Sequence, residues 1–129
     1  MRIFFDVDNT LLCSTEDQWI LRPGTREIME ALKALGQELY IWSATGQAHC
    51  ERLVQRYDLQ AYIINCFDKD PACPVKPDLI IDDDWFLVEK YSGFVVEAFR
   101  TPNPDDRELF RVLEELKPIL EVNKSADRK

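Results

Sequence analysis

Short apolar runs alternate with segments of helical periodicity along this chain, and that alternation constrains the fold more than any other feature. An alternation of this kind predicts βαβ units, and βαβ units predict a parallel sheet. We therefore predict an α/β, Rossmann-like three-layer fold with a central parallel sheet of about five strands. The predicted strands cover residues 2–5, 39–42, 61–65, 79–81 and 94–98.

The helices between these strands are predicted from apolar residues at helical spacing and from residues that favour helix ends. Thr25 is the predicted N-cap of the first helix, and Gly36 the residue that ends it. Helices are predicted over 47–57 and 85–91, and a long last helix begins after Asn103 and Pro104. Residues 13–22 and 66–77 show no clear period. We predict one domain over residues 1–122 and a flexible C-terminal tail over 123–129.

Charge and hydropathy exclude two classes of partner. The 129 residues include 16 Lys and Arg against 24 Asp and Glu, a net charge of −8, which makes nucleic acid an unexpected partner. No apolar run is long enough to span a bilayer. The N-terminal residues reach Asp6 after three apolar side chains, which is not the pattern of a signal peptide, so we expect a cytoplasmic protein.

The cysteines give little functional information. They stand at positions 13, 50, 66 and 73, and no CxxC pair occurs. A zinc site could be assembled from His49, Cys50, Cys66 and Cys73, but the spacing fits no zinc motif. Isolated reduced thiols are the favoured interpretation.

Polar and acidic residues follow three of the predicted strands. They are residues 6–10 (DVDNT), 43–46 (SATG) and 82–84 (DDD). Open parallel sheets bind ligands at the carboxyl ends of their strands, so these groups should meet at one edge. Converging carboxylates repel one another unless a cation neutralises them, and oxygen ligands favour Mg²⁺.

Phosphoryl transfer fits this set of side chains. A carboxylate at a strand end can attack phosphorus, and a second one two residues later can protonate the leaving oxygen and then activate water. Each group also has an ordinary structural interpretation. Asp8 and Asn9 suit a turn, Ser43 suits a helix cap, and residues 82–84 suit the N-terminus of the helix that follows.

The three segments resemble, in order, motifs of the haloacid dehalogenase (HAD) superfamily, over residues 2–98. The resemblance implies that Asp6 is the nucleophile and an Mg²⁺ ligand. It implies that Asp8 is the general acid/base and a ligand through its main-chain carbonyl. It further implies that Asp83 is a metal ligand and that Ser43 and Ala44 bind the phosphoryl group at the second motif. Asp82 and Thr10 would be supporting groups behind the metal.

The phosphate-binding lysine of the third motif has two candidates. Lys76 precedes a proline, as is common around the family's lysine, but it lies before the fourth strand and so at the wrong end of the sheet. Lys69 follows the third strand and should emerge at the active end. Geometry favours Lys69 slightly, and a bend in the loop would reverse the choice.

The two gaps where the family inserts cap domains, residues 12–22 and 66–77, are too short for a folded cap. We therefore expect an open, monomeric site that takes a phosphorylated substrate, either bulky or walled in by a partner. A flap of residues 13–22 would carry Trp19, either as a substrate-side aromatic or as packing under the loop. Arg22-Pro23-Gly24 resembles capless members, which include magnesium-dependent protein phosphatases and RNA-polymerase-tail phosphatases.

Function is therefore expected to be that of a capless Mg²⁺-dependent phosphomonoester hydrolase with an aspartyl-phosphate intermediate. The alternative is a non-catalytic phosphate- or metal-binding or regulatory module that retains the fold. A receiver domain shares the acidic pocket, but it carries its accepting Asp on the third strand. The third strand is predicted here to end at Asn65 and Cys66.

Overall fold

The centre of the fold is a parallel sheet in a three-layer α/β arrangement, as the alternating pattern predicts. The computed structural model describes residues 1–15 and 18–127, with side chains described through residue 122. Within those residues the sheet has five strands in the spatial order β5-β4-β1-β6-β7, and every pairing is parallel. The strands are β1 (Arg2–Asp6), β4 (Glu38–Ser43), β5 (Ile63–Asp68), β6 (Leu79–Asp82) and β7 (Gly93–Val95).

Helices cover the sheet unequally on its two faces. They are α1 (Thr25–Ala34), α2 (Gln47–Arg56), α3 (Trp85–Tyr91) and α4 (Glu108–Asp127). Alternation along β1 sends Ile3 and Phe5 into one core with residues of α1, α2 and α4, and sends Phe4 into a second core with Val88 of α3. Residues of the segment between β5 and β6, Cys73 and Val75, pack in the second core beside α3.

The order of strands in the sheet differs from that of a receiver domain and excludes that alternative. Numbered along the chain, the five strands lie in the order 3-2-1-4-5, whereas the flavodoxin-like sheet of receiver domains has the order 2-1-3-4-5. The third strand is therefore at the edge, two strands from β1. The predicted end of the third strand, at Asn65 and Cys66, is wrong, because β5 ends at Asp68. The strand order, and not that predicted end, therefore distinguishes this fold from a receiver domain. The order reverses between β1 and β6, and ligands bind at such switch points.

The ends of α1 show how local chemistry sets the helix bounds. Gly36 ends it as predicted: with φ of 80° its N–H bonds to the carbonyl of Lys33, and the N–H of Gln37 bonds to that of Leu32. The predicted N-cap is wrong by one residue. Gly24 is the cap, with φ of 93°, and a Cβ there would lie 3.0 Å from the Phe110 ring. Thr25 is the first helical residue.

A small hairpin occupies the region where no regular structure was predicted. Strands β2 (Leu12–Ser14) and β3 (Trp19–Leu21) pair in antiparallel fashion. Positions 16 and 17 of the predicted flap lie outside the described residues. In the part of the chain that is described, this hairpin and the segment 69–78 are the insertions that follow β1 and β5, and neither forms a cap domain.

Several other boundaries differ from the predictions. Strand β7 is shorter than predicted, covering Gly93–Val95. Helix α4 begins at Glu108, because Asn103 forms a turn of its own by accepting the N–H of Asp105. Pro118 lies inside that helix. The helix continues to Asp127, so residues 123–127 of the predicted tail are helical, and the last two positions lie outside the described residues. Among the described residues, none of the helices is long and apolar enough to cross a bilayer.

Candidate active site

The loop that follows β1 is a tight turn which folds the two aspartates of the DVDNT segment toward the switch point. The carbonyl of Val7 accepts the N–H groups of Thr10, Leu11 and Leu12 at 3.2, 2.9 and 3.0 Å. Asn9 takes the left-handed conformation, with φ of 65°, which asparagine tolerates better than most residues. The turn predicted for this segment therefore exists, and its strained position falls on Asn9 rather than on a carboxylate.

A buried arginine holds this loop from behind. The Arg22 side chain is 1 % exposed and donates to the main-chain carbonyls of Thr10, at 3.2 Å, and Asn9, at 3.5 Å. Its other nitrogens pair with both carboxylate oxygens of Asp106 at 2.8 and 3.0 Å. This bidentate pair ties the turn to the residues just before α4. The sequence marked Arg22 only as part of a tripeptide, since nothing local indicates its distant partner.

Asp6 and Asp83 meet across the switch point, and Thr10 joins them. The Thr10 hydroxyl donates to Asp6 Oδ2 at 2.9 Å and accepts the Asp83 N–H at 3.1 Å. Asp6 is 6 % exposed, whereas Asp83 is half-buried. The next residue, Asp84, caps α3 by accepting the Phe86 N–H at 3.0 Å, so the predicted capping role belongs to Asp84.

Lys69, and not Lys76, reaches the acidic cluster. Lys69 Nζ lies 2.9 Å from Asp6 Oδ1 and 2.7 Å from Asp82 Oδ2. Lys76 is directed away and donates to the carbonyl of Pro71. Its position follows from Asp78, whose N–H bonds to the carbonyl of Arg2 and so starts β6 at the amino edge of the sheet. The lysine two residues earlier therefore enters β6 from its amino end, and its ammonium group contacts Pro71 rather than Asp6.

Burial governs the electrostatics of this cluster. Burial and the charge of Asp82 raise the pKa of Asp6 to about 7, although Lys69 and the Thr10 hydroxyl act in the opposite direction. Burial also raises the pKa of Asp82, and Lys69 opposes that rise. For Lys69 itself, burial lowers the pKa, but the charge of Asp6 and the bonds to both carboxylates outweigh it and leave the pKa raised. Two buried carboxyl groups thus share one ammonium group.

The donor set at the switch point fits a hard divalent cation. One carboxylate oxygen from each of Asp6, Asp82 and Asp83 lies within 4.8 Å of the other two. Asp82 is fully buried, and its Oδ1 accepts the Asp84 N–H at 3.0 Å. Asp83 is half-buried and is the most accessible of the three carboxylates to an arriving cation. An all-oxygen set with excess negative charge suits Mg²⁺.

Ser43 lies at the end of β4, beside β1. It is buried, and its Oγ accepts the Thr45 N–H at 3.0 Å within the turn that follows β4. The helix-cap interpretation of Ser43 is wrong, because Gly46 is the N-cap of α2 and no side chain caps it. Within residues 1–15 and 18–127 the hydroxyl hydrogen of Ser43 has no acceptor, so it remains able to donate to a phosphoryl oxygen. Ala44 follows it as an exposed residue in the turn before α2.

Two residues that the sequence did not assign to the site hold Asp8. His49 Nε2 lies 3.1 Å from Asp8 Oδ1, and the Thr45 hydroxyl donates to Asp8 Oδ2 at 3.1 Å. Both donors come from the turn and first helical turn after β4, the segment predicted to border the site. Histidine was considered only as a zinc ligand, and its spacing from Asp8 gives no signal in the sequence.

The thiols are not gathered into a metal site in the described residues. All four cysteines are buried and unbridged, and the carboxylate cluster is the metal-ligand group found there. Cys50 and Cys66 lie in the same core, and the Cys50 thiol donates to the Phe67 carbonyl at 3.8 Å. The neighbouring Cys66 thiol and burial raise the pKa of Cys50.

The hairpin places Trp19 at the side of the site that carries Asp8. The edge of its ring packs against the His49 ring, with centroids 5.1 Å apart and planes at 79°. The Arg56 guanidinium lies 5.5 Å from its centroid on the other side, and the Tyr57 hydroxyl donates to its carbonyl at 2.8 Å. Trp19 is partly buried against the main core, so the packing interpretation describes these contacts.

No protein-family model matches the chain, and no curated protein matches it significantly.

Proposed function

We propose that this protein is an Mg²⁺-dependent phosphomonoester hydrolase that acts through an aspartyl-phosphate at Asp6, as the resemblance to capless HAD phosphatases implies. The observation that carries the proposal is the grouping of Asp6, Asp83 and Lys69 at the β1–β6 switch point. Asp6 and Asp83 belong to the carboxylate cluster, and Lys69 bonds to Asp6 at 2.9 Å. A buried acid cluster with a single lysine favours an added cation and an anionic ligand together.

Asp6 supplies the nucleophile in this proposal. Lys69 and Thr10 each bond to one of its oxygens, which favours the ionised carboxylate and fixes its plane. An Asp6 oxygen forms a bond to phosphorus as the bond from phosphorus to the leaving oxygen breaks. Ser43, through its hydroxyl hydrogen, and Lys69, through its charge, stabilise the phosphoryl oxygens.

Asp8 moves the protons. Its side chain is 38 % exposed, so it can face both the leaving group and water. Protonated Asp8 gives its proton to the leaving oxygen, and the resulting carboxylate takes a proton from the water that attacks the aspartyl-phosphate. Asp6, Asp83 and the Asp8 carbonyl would hold Mg²⁺, which when bound neutralises charge on the phosphoryl group.

Hydrolysis of p-nitrophenyl phosphate with Mg²⁺, and with EDTA in its place, tests this function. We expect turnover with Mg²⁺, loss of turnover in EDTA, and loss in Asp6→Asn, because the amide is a poor nucleophile. Asp105→Asn removes an exposed carboxylate in the loop before α4 and serves as the matched control. Full activity in EDTA, or retention of more than about a tenth of the activity in Asp6→Asn, would contradict the proposal. A folded, Mg²⁺-binding protein with no turnover would favour the non-catalytic module.

A further inference from the structure

The two oxygens of Asp8 are held by donors of different kinds, and this difference suggests a role for His49. Oδ1 lies 3.1 Å from the imidazole Nε2, whereas Oδ2 accepts from the Thr45 hydroxyl at 3.1 Å. An ionised carboxylate only accepts hydrogen bonds, so Nε2 carries the hydrogen in this contact. The His49 side chain is 10 % exposed against 38 % for Asp8, so the acid is anchored from its buried side.

The imidazole is a fixed donor. His49 lies in the first turn of α2, and Trp19 packs edge-on against its ring. The hairpin that carries Trp19 is itself bonded to Tyr57, the residue that ends α2. Rotation of the ring away from Asp8 would therefore require the hairpin to move as well.

The Thr45 hydroxyl is an adaptable donor. A hydroxyl rotates, so it donates to an ionised oxygen and accepts from a protonated one. Oδ2 can therefore gain or lose a proton while keeping its neighbour, and Oδ1 cannot do so while Nε2–H points at it. Thr45 is exposed, which puts Oδ2 on the side open to substrate and water.

We propose that His49 is a positioning residue that holds Asp8 through Oδ1 and leaves Oδ2 as the oxygen that exchanges a proton with the leaving group and with water. The inference rests on the proposed phosphatase function. It assigns His49 no contact with substrate. Loss of the contact leaves Asp8 present but free to turn, and misplacement of a catalytic group by about 1 Å costs on the order of 100-fold in rate.

The dependence of turnover on the leaving group separates this role from general packing. p-Nitrophenolate is a stable anion and needs little protonation, whereas phenolate needs more, and the two phosphate esters are nearly the same size. We expect His49→Leu, which fills space but cannot donate, to lower the single-turnover rate of phenol release from phenyl phosphate by about 10- to 100-fold and that of p-nitrophenol release by less than about threefold. Single turnovers are compared because hydrolysis of the aspartyl-phosphate also uses Asp8 and is the same step for both esters. KM should change little for either ester.

Two further variants make the test specific. His49→Gln places an amide N–H near the position of Nε2 and should recover most of the phenyl phosphate turnover. Thr45→Val keeps the side-chain volume and removes the rotating hydroxyl, and we expect a smaller loss than in His49→Leu. Nitrogen NMR of the imidazole gives a readout without substrate: the His49 Nε2–H signal should shift in Asp8→Ala.

The possible results separate a failure of the role proposed for His49 from a failure of the proposed phosphatase function. Equal losses of the single-turnover rate for both esters in His49→Leu, no recovery in His49→Gln, or an unshifted imidazole signal would overturn the role of His49 and leave the phosphatase intact. Thr45→Val with the full His49→Leu loss would overturn the assignment of Oδ2. If the unmodified protein hydrolyses neither ester, the proposed function fails, and this inference fails with it.

Discussion

Removal of the Asp6 charge should stabilise the metal-free protein, and by an amount that grows with pH. Asp6 is 6 % exposed, and burial together with the charge of Asp82 raises its pKa to about 7 from 3.8. A carboxyl group whose pKa is raised on folding is held more favourably when protonated. The stability that the protonated Asp6 carboxyl gives to the folded protein is therefore fully present below the pKa of Asp6 in the unfolded chain. This stability is lost as the pH rises through the pKa of Asp6 in the folded protein.

The size of the effect follows from the size of the shift. A rise of about 3 pH units at about 1.4 kcal/mol per unit gives about 4 kcal/mol between pH 4 and pH 8. Asp82 and Lys69 share charge with Asp6, so this figure is an upper limit. Asparagine does not titrate. The free energy of unfolding of Asp6→Asn minus that of the unmodified protein should rise across this range.

Urea unfolding in EDTA at several pH values measures this difference. Asp105→Asn removes the same charge from an exposed site and should show no such trend. Saturating Mg²⁺ should reverse the order at high pH, because a ligand that binds only the folded state stabilises it by RT ln(1 + [L]/Kd). A difference between Asp6→Asn and the unmodified protein that stays constant with pH, or shrinks as pH rises, would refute the reasoning from burial.

Three further variants test the surrounding groups. Lys69→Met should lower kcat by at least about 100-fold, because Lys69 contacts Asp6. Lys76→Met removes an ammonium group that contacts Pro71 and should stay within about twofold of normal activity, and equal effects of the two variants would contradict the assignment. Asp83→Ala should raise the Mg²⁺ concentration for half-maximal activity by about tenfold or more, and an unchanged Mg²⁺ titration would exclude it as a ligand. Trp19→Ala should slow a single turnover of phenyl phosphate more than one of p-nitrophenyl phosphate, because its ring supports His49, and Trp19→Phe should act mildly. Equal slowing of the two single turnovers would mean that the ring only packs.

The sheet and its acidic edge were predictable because the information is local. A fully apolar run such as residues 79–81 fits a strand covered on both faces, and the parallel arrangement then places the ends of β1, β4 and β6 side by side. The same reasoning about strand ends favoured Lys69 over Lys76, and the structure brings Lys69 to Asp6.

Features that depend on pairing between distant or very short segments were not predictable. The hairpin strands have three residues each, too few for an alternating pattern to be recognised. The edge strand β5 exposes Ile64 and Asn65, so the apolar run that was used to place it marks only part of its length. His49 was missed because its contact with Asp8 spans 41 positions and depends on how α2 packs.

The most direct test of the account is to trap the intermediate on Asp6. Borohydride reduces an acyl phosphate to the alcohol, so quenching the enzyme during turnover with Mg²⁺ and p-nitrophenyl phosphate should convert Asp6 to homoserine, which peptide mass spectrometry would identify. The account predicts homoserine at position 6 alone, dependent on both substrate and Mg²⁺, and absent from Asp6→Asn. Steady hydrolysis with no modification at position 6, or with homoserine at position 8 instead, would contradict it.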